Sequence, residues 1–356
     1  MHRILVDQQK ITQTKADDVA NRALEPGQAR LVLESFALTA NNVTYAASGF
    51  AIGYWKFFPT DEPGQGLVPV WGIAKVVEST APDLAEGTRL YGFYPMAEEL
   101  VITPEVSSRG NVTDVAAHRL ELPAVYNAYI PVGATSPDQD HMRALLQPLL
   151  ATSYLLADWL EDNARFGAQQ VIVGSASSKT GLGLCKYLAE DKDRDFKIIG
   201  LTSEGNRTFV EGLGACDKVL SYDEIGEVPQ VASVYVDMAG NAQVKATLHA
   251  HLKEHMKHSA AVGISHWDQF NPAVELEGVK PEFFFAPAQI AKRRKEWGPG
   301  EIDRRIGEAF MRIATEASSW LDVKVHQGLD AVPEVYGALA QGRANPKEGH
   351  VIRLVP

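Results

Sequence analysis

Only two cysteines, Cys185 and Cys216, occur in the 356 residues, and no apolar run approaches the length of a membrane span. Two thiols cannot build a disulfide framework or a four-cysteine zinc lobe, and Cys185, inside an apolar helical stretch, reads as a packing residue. A helix through a bilayer needs about 20 consecutive apolar residues, so no such helix, and no membrane partner, is expected. Basic charge is scarce as well: 34 Lys and Arg stand against 45 Asp and Glu, a formal net charge of −11. A general nucleic-acid binder needs a basic surface to displace counterions, and this balance argues against one. The basic cluster AKRRKEW, at 291–297, reads as the solvated face of a helix. The N-terminal stretch MHRILVDQQKITQT turns polar by Asp7 and lacks the apolar core and cleavage site of a secretory signal. It reads as a first strand, and the expected location is cytoplasmic.

The length suits two domains. Up to about residue 126 the chain is β-rich: ILVDQQKIT, ARLVLESFAL, GIAKVVEST and GTRLYGFYP are short β-branched or aromatic runs, separated by turns such as EPGQ. This texture predicts a small, partly closed barrel. Near residue 140 it changes. DHMRALLQPLLATSYLLADWLEDN has helical periodicity, with a bend or break predicted at Pro148. Apolar strands (QQVIVGSA, FKIIGLTS, DKVLSY, VASVYVDMAG, SAAVGISHW) then alternate with helices, the pattern of a doubly wound parallel sheet covered on both faces. The expected organisation is a β domain over 1–126, a sheet-and-helix domain over 127–285, and a segment 286–356 whose last strands return to the first domain.

The informative stretch is VIVGSASSKTGLGL, at 171–184. A dinucleotide-binding corner needs a strand, a tight turn of small residues, and a helix whose first N–H groups face a pyrophosphate. The order is right, although the strict G-x-G-x-x-G is absent. Between Gly174 and Gly181 only Lys179 is large, and Ser175, Ser178, Lys179 and Thr180 add donors for phosphate oxygens. The next strand ends in Leu201-Thr202-Ser203. An NAD site usually carries an acid at that tip, whereas here Thr202 stands there, with Ser203 and Arg207 placed to hold a 2′-phosphate. NADP (NADPH) is therefore the expected cofactor, with Glu204 the residue that could instead serve NAD.

The order of these elements resembles the medium-chain dehydrogenase/reductase superfamily, specifically its zinc-independent, quinone-oxidoreductase-like branch. The likeness runs over nearly the whole chain, through LEPGQARLVLESFALTANNVTYAASG, GIAKVVESTAPDLAEGTRLYGF, the helix and corner at LLATSYLLADWL…QQVIVGSASSKTGLGL, GLGACDKVLSYDE and VYVDMAG. NNVTYA followed by YWKFFP looks like a separate subfamily of that branch. The resemblance implies an α/β chain: an N-terminal GroES-like, partly closed β-barrel plus a Rossmann doubly wound parallel sheet. It places Ser175, Ser178, Lys179, Thr180 and Gly181 at the pyrophosphate, and Ser203, Arg207 and Tyr222 at the adenosine phosphate. Asn41, Ser265 and His266 fall near the nicotinamide. Ser178 and Lys179 replace glycines of the usual loop, and the first domain lacks Cys or His where zinc enzymes place ligands. No metal site is expected.

Without zinc, hydride chemistry needs a polarised acceptor and a proton source. The stretch ANNVTYAASGFAIGYWKFFP offers Tyr54 as first choice, because tyrosine stands at a nearby loop position in enoyl-reducing relatives, then Tyr45, with Asn41 beside them. Trp55, Phe57 and Phe58 would suit an apolar or planar small-molecule substrate, or a packed core. The expected function is NADPH-dependent reduction of an activated double bond or a quinone-like carbonyl compound, by a homodimer pairing the SAAVGISHW sheet edge. A cofactor-free or cofactor-sensing scaffold of the same fold is the alternative. A zinc hydrolase is a further one, because HLKEH at 251–255 matches H-x-x-E-H on a helix whose four histidines would be solvated. G-x-S-x-G is missing around the GSASS serines, which disfavours a nucleophile elbow.

Overall fold

The computed structural model describes residues 1–108, 110–263 and 276–355. They form two compact units: Met1–Leu145 with the chain from Asp322 onward, and Leu146–Leu321. Among the described residues no helix is long and apolar enough to cross a membrane.

The first unit opens with β1 (His2–Asp7), β2 (Thr14–Asp18) and β3 (Ala29–Leu38), followed by the short helix α1 (Ala40–Ala47). It continues through β4 (Gln65–Gly66), β5 (Pro69–Ser79), β6 (Arg89–Pro95), β7 (Glu99–Ile102), β8 (Pro104–Val106), β9 (Val112–Asp114) and β10 (Ala128–Val132). In β3 the alternation read from the sequence turns Ala29, Leu31 and Leu33 into the core, with Arg30, Val32 and Glu34 only half-buried. Domain 1 was expected to end at residue 126, but β10 pairs with β6 and β9. The unit therefore runs on into helix α2 (Pro137–Asp162), which is unbroken at Pro148. An interior proline costs about 3 kcal/mol. Leu145, Leu146, Leu149 and Leu150 flank it and are all buried, each contributing about 1.5–3 kcal/mol, so packing outweighs the lost hydrogen bond.

The second unit alternates β11 (Gln170–Gly174), α3 (Lys179–Glu190), β12 (Lys197–Thr202), α4 (Arg207–Gly212), β13 (Lys218–Ser221), β14 (Ser233–Asp237), α5 (Ala242–Leu252), β15 (Met256–Ala261) and β16 (Glu282–Phe283). Its sheet has the order β13-β12-β11-β14-β15-β16, parallel throughout. This is the expected doubly wound sheet, with β11 and β14 buried along their whole length. The winding reverses between β11 and β14, and the C-terminal strand ends at such a switch point are where ligands bind. The SAAVGISHW strand was expected at the open edge. Instead β16 covers β15, so Glu282–Phe283 forms the edge among the described residues. Helices α6 (Ala286–Trp297) and α7 (Glu301–Ala314) also belong to this unit.

The chain then returns to the first unit. Strand β17 (Asp322–Gln327), helix α8 (Val332–Ala340) and strand β18 (Glu348–Arg353) rejoin the first unit, where β18 pairs antiparallel with β3. The larger sheet there has the path β17-β18-β3-β5-β6-β10-β9-β8, with β7 beside β3.

The stretch Ala40–Ala47 is helical because it is capped. Thr39 accepts a hydrogen bond from the Asn41 N–H, while the Asn42 side chain accepts from the Thr39 N–H at 2.7 Å, a reciprocal box. Asn42, buried, also donates to the Pro69 carbonyl at 2.8 Å, tying α1 to β5. Asn42→Ala should destabilise the chain by about 1–3 kcal/mol, more than Thr39→Ala at about 1 kcal/mol, because it strands two buried backbone groups. Chemical denaturation of both variants checks this; a reversed order would contradict the anchoring role of Asn42.

Candidate functional site

The candidate phosphate corner lies within the second unit. Strand β11 ends at Gly174, where a Cβ would stand 2.6 Å from the Tyr235 hydroxyl. The chain then turns through Ser175, whose φ of +53° lies in the left-handed region, a conformation that costs a non-glycine residue on the order of 1 kcal/mol or more. Ala176 N–H donates to the Leu201 carbonyl of β12 at 2.9 Å. Helix α3 begins at Lys179, capped by Ser178. The Ser178 hydroxyl donates to the Ser175 carbonyl at 2.7 Å and accepts from the Gly181 N–H at 3.1 Å. A Cβ on Gly181 would meet that same carbonyl at 2.5 Å. Ser175, Ser178, Lys179, Thr180 and Gly181 are therefore one turn, with the positive end of α3 at its mouth.

Tyr222 reaches the same turn. Burial pushes its pKa up to about 12, against a smaller lowering by Ser175, so the phenol stays protonated. Ser177 was missed as a site residue. Its hydroxyl accepts from Thr202 at 3.0 Å and from Asn206 at 3.4 Å, latching the turn to the tip of β12. The signal was present: Thr202 stands where an acid is usual, and its hydroxyl faces the loop rather than a ribose. Asp237, at the end of β14, accepts from the N–H groups of Ala239 and Gly240 and from buried Lys245 at 3.4 Å. It fixes the turn beyond β14 at the switch point.

Arg207 is more engaged than the sequence suggests. Glu224 lies 3.1 Å from its guanidinium, Glu211 3.2 Å and Glu204 3.5 Å. Glu224 is fixed because it also accepts from the Ser221 N–H at 2.9 Å; that bond, then Arg207, holds its carboxyl below the usual carboxylate range. Ser203 is exposed at the β12 tip. Ser265 and His266 lie outside the described residues.

In the first unit Asn41, Tyr45 and Tyr54 come together, the first two on α1 and the third opening a short turn, Tyr54–Lys56. The Tyr45 hydroxyl accepts from Trp71 Nε1 at 3.0 Å. The Tyr45 and Tyr54 rings are 4.5 Å apart between centroids. Tyr54 shares a hydroxyl–hydroxyl bond of 2.9 Å with Tyr126, which sequence reading missed because it lies on another turn, Ala124–Tyr126. Burial raises the pKa of Tyr45, Tyr54 and Tyr126 above the ordinary tyrosine value, so all three stay protonated at neutral pH. Trp55, Phe57 and Phe58 are all buried, and the Arg119 guanidinium covers Phe58 at 4.7 Å.

The HLKEH motif is not displayed on a helical face. Helix α5 stops at Leu252, and Lys253 turns left-handed at φ +47°, which separates His251 from His255. The His251 ring donates to the Val228 carbonyl at 2.8 Å. His249, expected in solvent, is fully buried; its ring donates to the Glu277 carbonyl and bonds the Ser259 hydroxyl, both at 3.0 Å.

No curated protein matches the sequence. Solved structures do match in fold. CurA from Vibrio vulnificus, in complex with NADPH, is 12% identical over 100% of both chains, with a TM-score of 0.66. The yhdH oxidoreductase from Salmonella enterica, in complex with NADP, is 15% identical over 100% of both chains, with a TM-score of 0.55. Etr1p, in complex with NADP and crotonyl-CoA, is 11% identical over 99% of each chain, with a TM-score of 0.57. The fold is thus that of the medium-chain dehydrogenase/reductase enzymes, and the chain belongs to the family described as "Protein of unknown function (DUF2855)", whose model matches residues 36–345.

Proposed function

We propose that this chain is an NADPH-dependent, zinc-independent oxidoreductase that reduces an activated double bond or a quinone-like carbonyl compound. The phosphate corner carries the reading. Gly174 and Gly181 lie where a side chain would clash, Ser175 holds a left-handed turn, and the first turn of α3 opens onto the switch point of the sheet. The NADP(H) complexes of CurA, yhdH and Etr1p, which share the fold, support the same cofactor, and the crotonyl-CoA bound to Etr1p supports a conjugated acceptor.

When bound, NADPH supplies the hydride. Ser175, Ser178, Lys179, Thr180 and Gly181 would hold its pyrophosphate, with the N–H groups of the first helical turn as donors. Ser203 and Arg207 would hold the 2′-phosphate. Glu204 and Glu211 are exposed and can swing aside, while Glu224 keeps the guanidinium oriented through Nη1. Tyr54 delivers the proton. Its hydroxyl is paired with Tyr126, so it can donate outward while accepting from its neighbour. Tyr45, held by Trp71, packs against the Tyr54 ring and fixes its position. Such a donor suits an acceptor whose negative charge moves onto oxygen, as in an enone or quinone. A homodimer through the β16 edge would cover strand N–H and C=O groups there that lack a sheet neighbour.

The three carboxylates at Arg207 favour a second reading for the cofactor alone. They repel a 2′-phosphate, and Glu204 could instead bind the ribose hydroxyls of NADH.

Thermal melting separates these readings. A ligand at a hundred times its Kd stabilises the fold by about 2.7 kcal/mol, so NADPH should raise the melting temperature clearly more than NADH at equal concentration. Arg207→Ala should remove that difference and leave the NADH shift in place. A larger shift with NADH selects the second reading, and no shift with either selects a cofactor-free scaffold. The proton donor is tested separately. Tyr54→Phe should lower enone or quinone turnover by about 10²-fold or more while leaving the NADPH melting shift unchanged. Full activity in that variant removes Tyr54 from the mechanism.

A further inference from the structure

The C-terminal return brings two histidines of the first unit together. The sequence does not mark the pair, because its members stand 24 positions apart. Strands β17 and β18 run parallel in a register that sets Lys324 beside His350 and His326 beside Ile352. Side chains alternate along each strand, so His326 and His350 are diagonal neighbours on one face. His326 Nε2 lies 3.1 Å from His350 Nδ1. The ring centroids are 5.4 Å apart and the planes are tilted by 39°, so the rings meet through nitrogen and do not stack. Glu348, two residues before His350 on the same face of β18, approaches the other ring nitrogen, Nε2, at 3.9 Å. The His350 side chain is 16% exposed and His326 is half-buried, which shelters the pair yet leaves it open to a small ion.

We propose that His326 and His350 form a two-histidine chelate for a transition-metal divalent cation such as Zn(II) or Ni(II), backed by Glu348. Imidazole nitrogens bind such an ion at about 2.0–2.1 Å, so two of them in adjacent coordination positions stand about 3 Å apart. The observed separation of 3.1 Å matches that bite. A hydrogen bond between the rings needs a similar distance, and the carboxylate is what favours the metal. A metal-bound imidazole commonly gives its outer N–H to a carboxylate, which fixes the tautomer and strengthens the ligand. Glu348 lies on that side of His350. Without metal, one ring donates its N–H to the other. Binding requires only that this ring carry its proton on the outer nitrogen instead, so two neutral rings release no proton. Lys324, beside His350 in the register, opposes a cation, but its ammonium lies 2.5 Å from the Asp322 carboxylate, which offsets the charge. Among the described residues no group of three or more His, Cys, Asp or Glu is placed to hold a metal. Water therefore completes the coordination, and binding is reversible. Imidazole ligands select against Mg(II), which prefers oxygen.

Among the described residues β17 is the outermost strand of its sheet, so the ion would clip an edge strand to its one neighbour, β18. The inference rests on the histidine pair and does not depend on the reaction proposed above.

The test titrates the full chain, stripped by a chelator, with Zn(II), Ni(II) and Mg(II), following bound metal by equilibrium dialysis and stability by thermal melting. Zn(II) and Ni(II) should bind saturably and raise the melting temperature, and Mg(II) should do neither. His326→Gln and His350→Gln should each lower the saturating stoichiometry by one ion, while Glu348→Gln should keep that ion and weaken its binding by about 10-fold. Glutamine can still hydrogen-bond the remaining histidine, so the metal-free variants should melt near the wild type, which separates lost ligation from lost folding. A second reading needs no variant: the imidazole nitrogen resonances of His326 Nε2 and His350 Nδ1 should both shift on adding Zn(II). The proposal is overturned if those two resonances stay in place in saturating Zn(II), or if the histidine variants bind as many ions as the wild type.

Discussion

Close approach at one turn governs the second unit. Strand β11 must stop against β14 and hand the chain to α3 with almost no room between them. Tyr235 leaves no space for a side chain at Gly174, and the Ser175 carbonyl leaves none at Gly181. The turn can close only if Ser175 adopts a left-handed backbone, at a cost of about 1–2 kcal/mol. The two hydrogen bonds of Ser178 and the Ser177–Thr202 latch hold it there. Each is worth about 1 kcal/mol, enough together to offset the strain. The outcome is a tightly bonded turn at the place in the sheet where the winding reverses.

The same economy of space explains what could be read from the sequence. Continuous apolar strands alternating with helices announced the parallel sheet, because only a strand buried on both faces can be apolar throughout, as β11 and β14 are. The corner was legible for a related reason: a run of small residues between strand and helix has few other uses. Pro148 misled because local propensity was set against buried leucines on either side, and tertiary packing won. The α1 segment misled in the opposite sense. Its asparagines look like loop residues, yet Asn42 is there to close a capping box and reach Pro69.

Side-chain pairings between distant segments were the part that could not be read. Nothing in the order of residues tells that Tyr54 will find Tyr126, or that Arg207 will collect Glu224 from beyond β13. Both pairings alter the chemistry of the residues chosen for the site. Tyr54 becomes half of a hydroxyl pair rather than a lone donor, and Arg207 becomes a shared cation rather than a ready phosphate ligand. His249 makes the same point in reverse. It looked like one of several wet histidines, but the fold buries it between Glu277 and Ser259.

Whether the corner at 174–181 receives a dinucleotide is the question on which the functional reading turns. Hydrogen exchange of the full chain, with and without NADPH, addresses it at the level of individual amides. The account predicts added protection across the Ser177–Leu182 amides and at the tip of β12, with β1 and β2 of the first unit unchanged. Unaltered exchange at the corner in saturating NADPH and in saturating NADH, or protection confined to other segments, would contradict it.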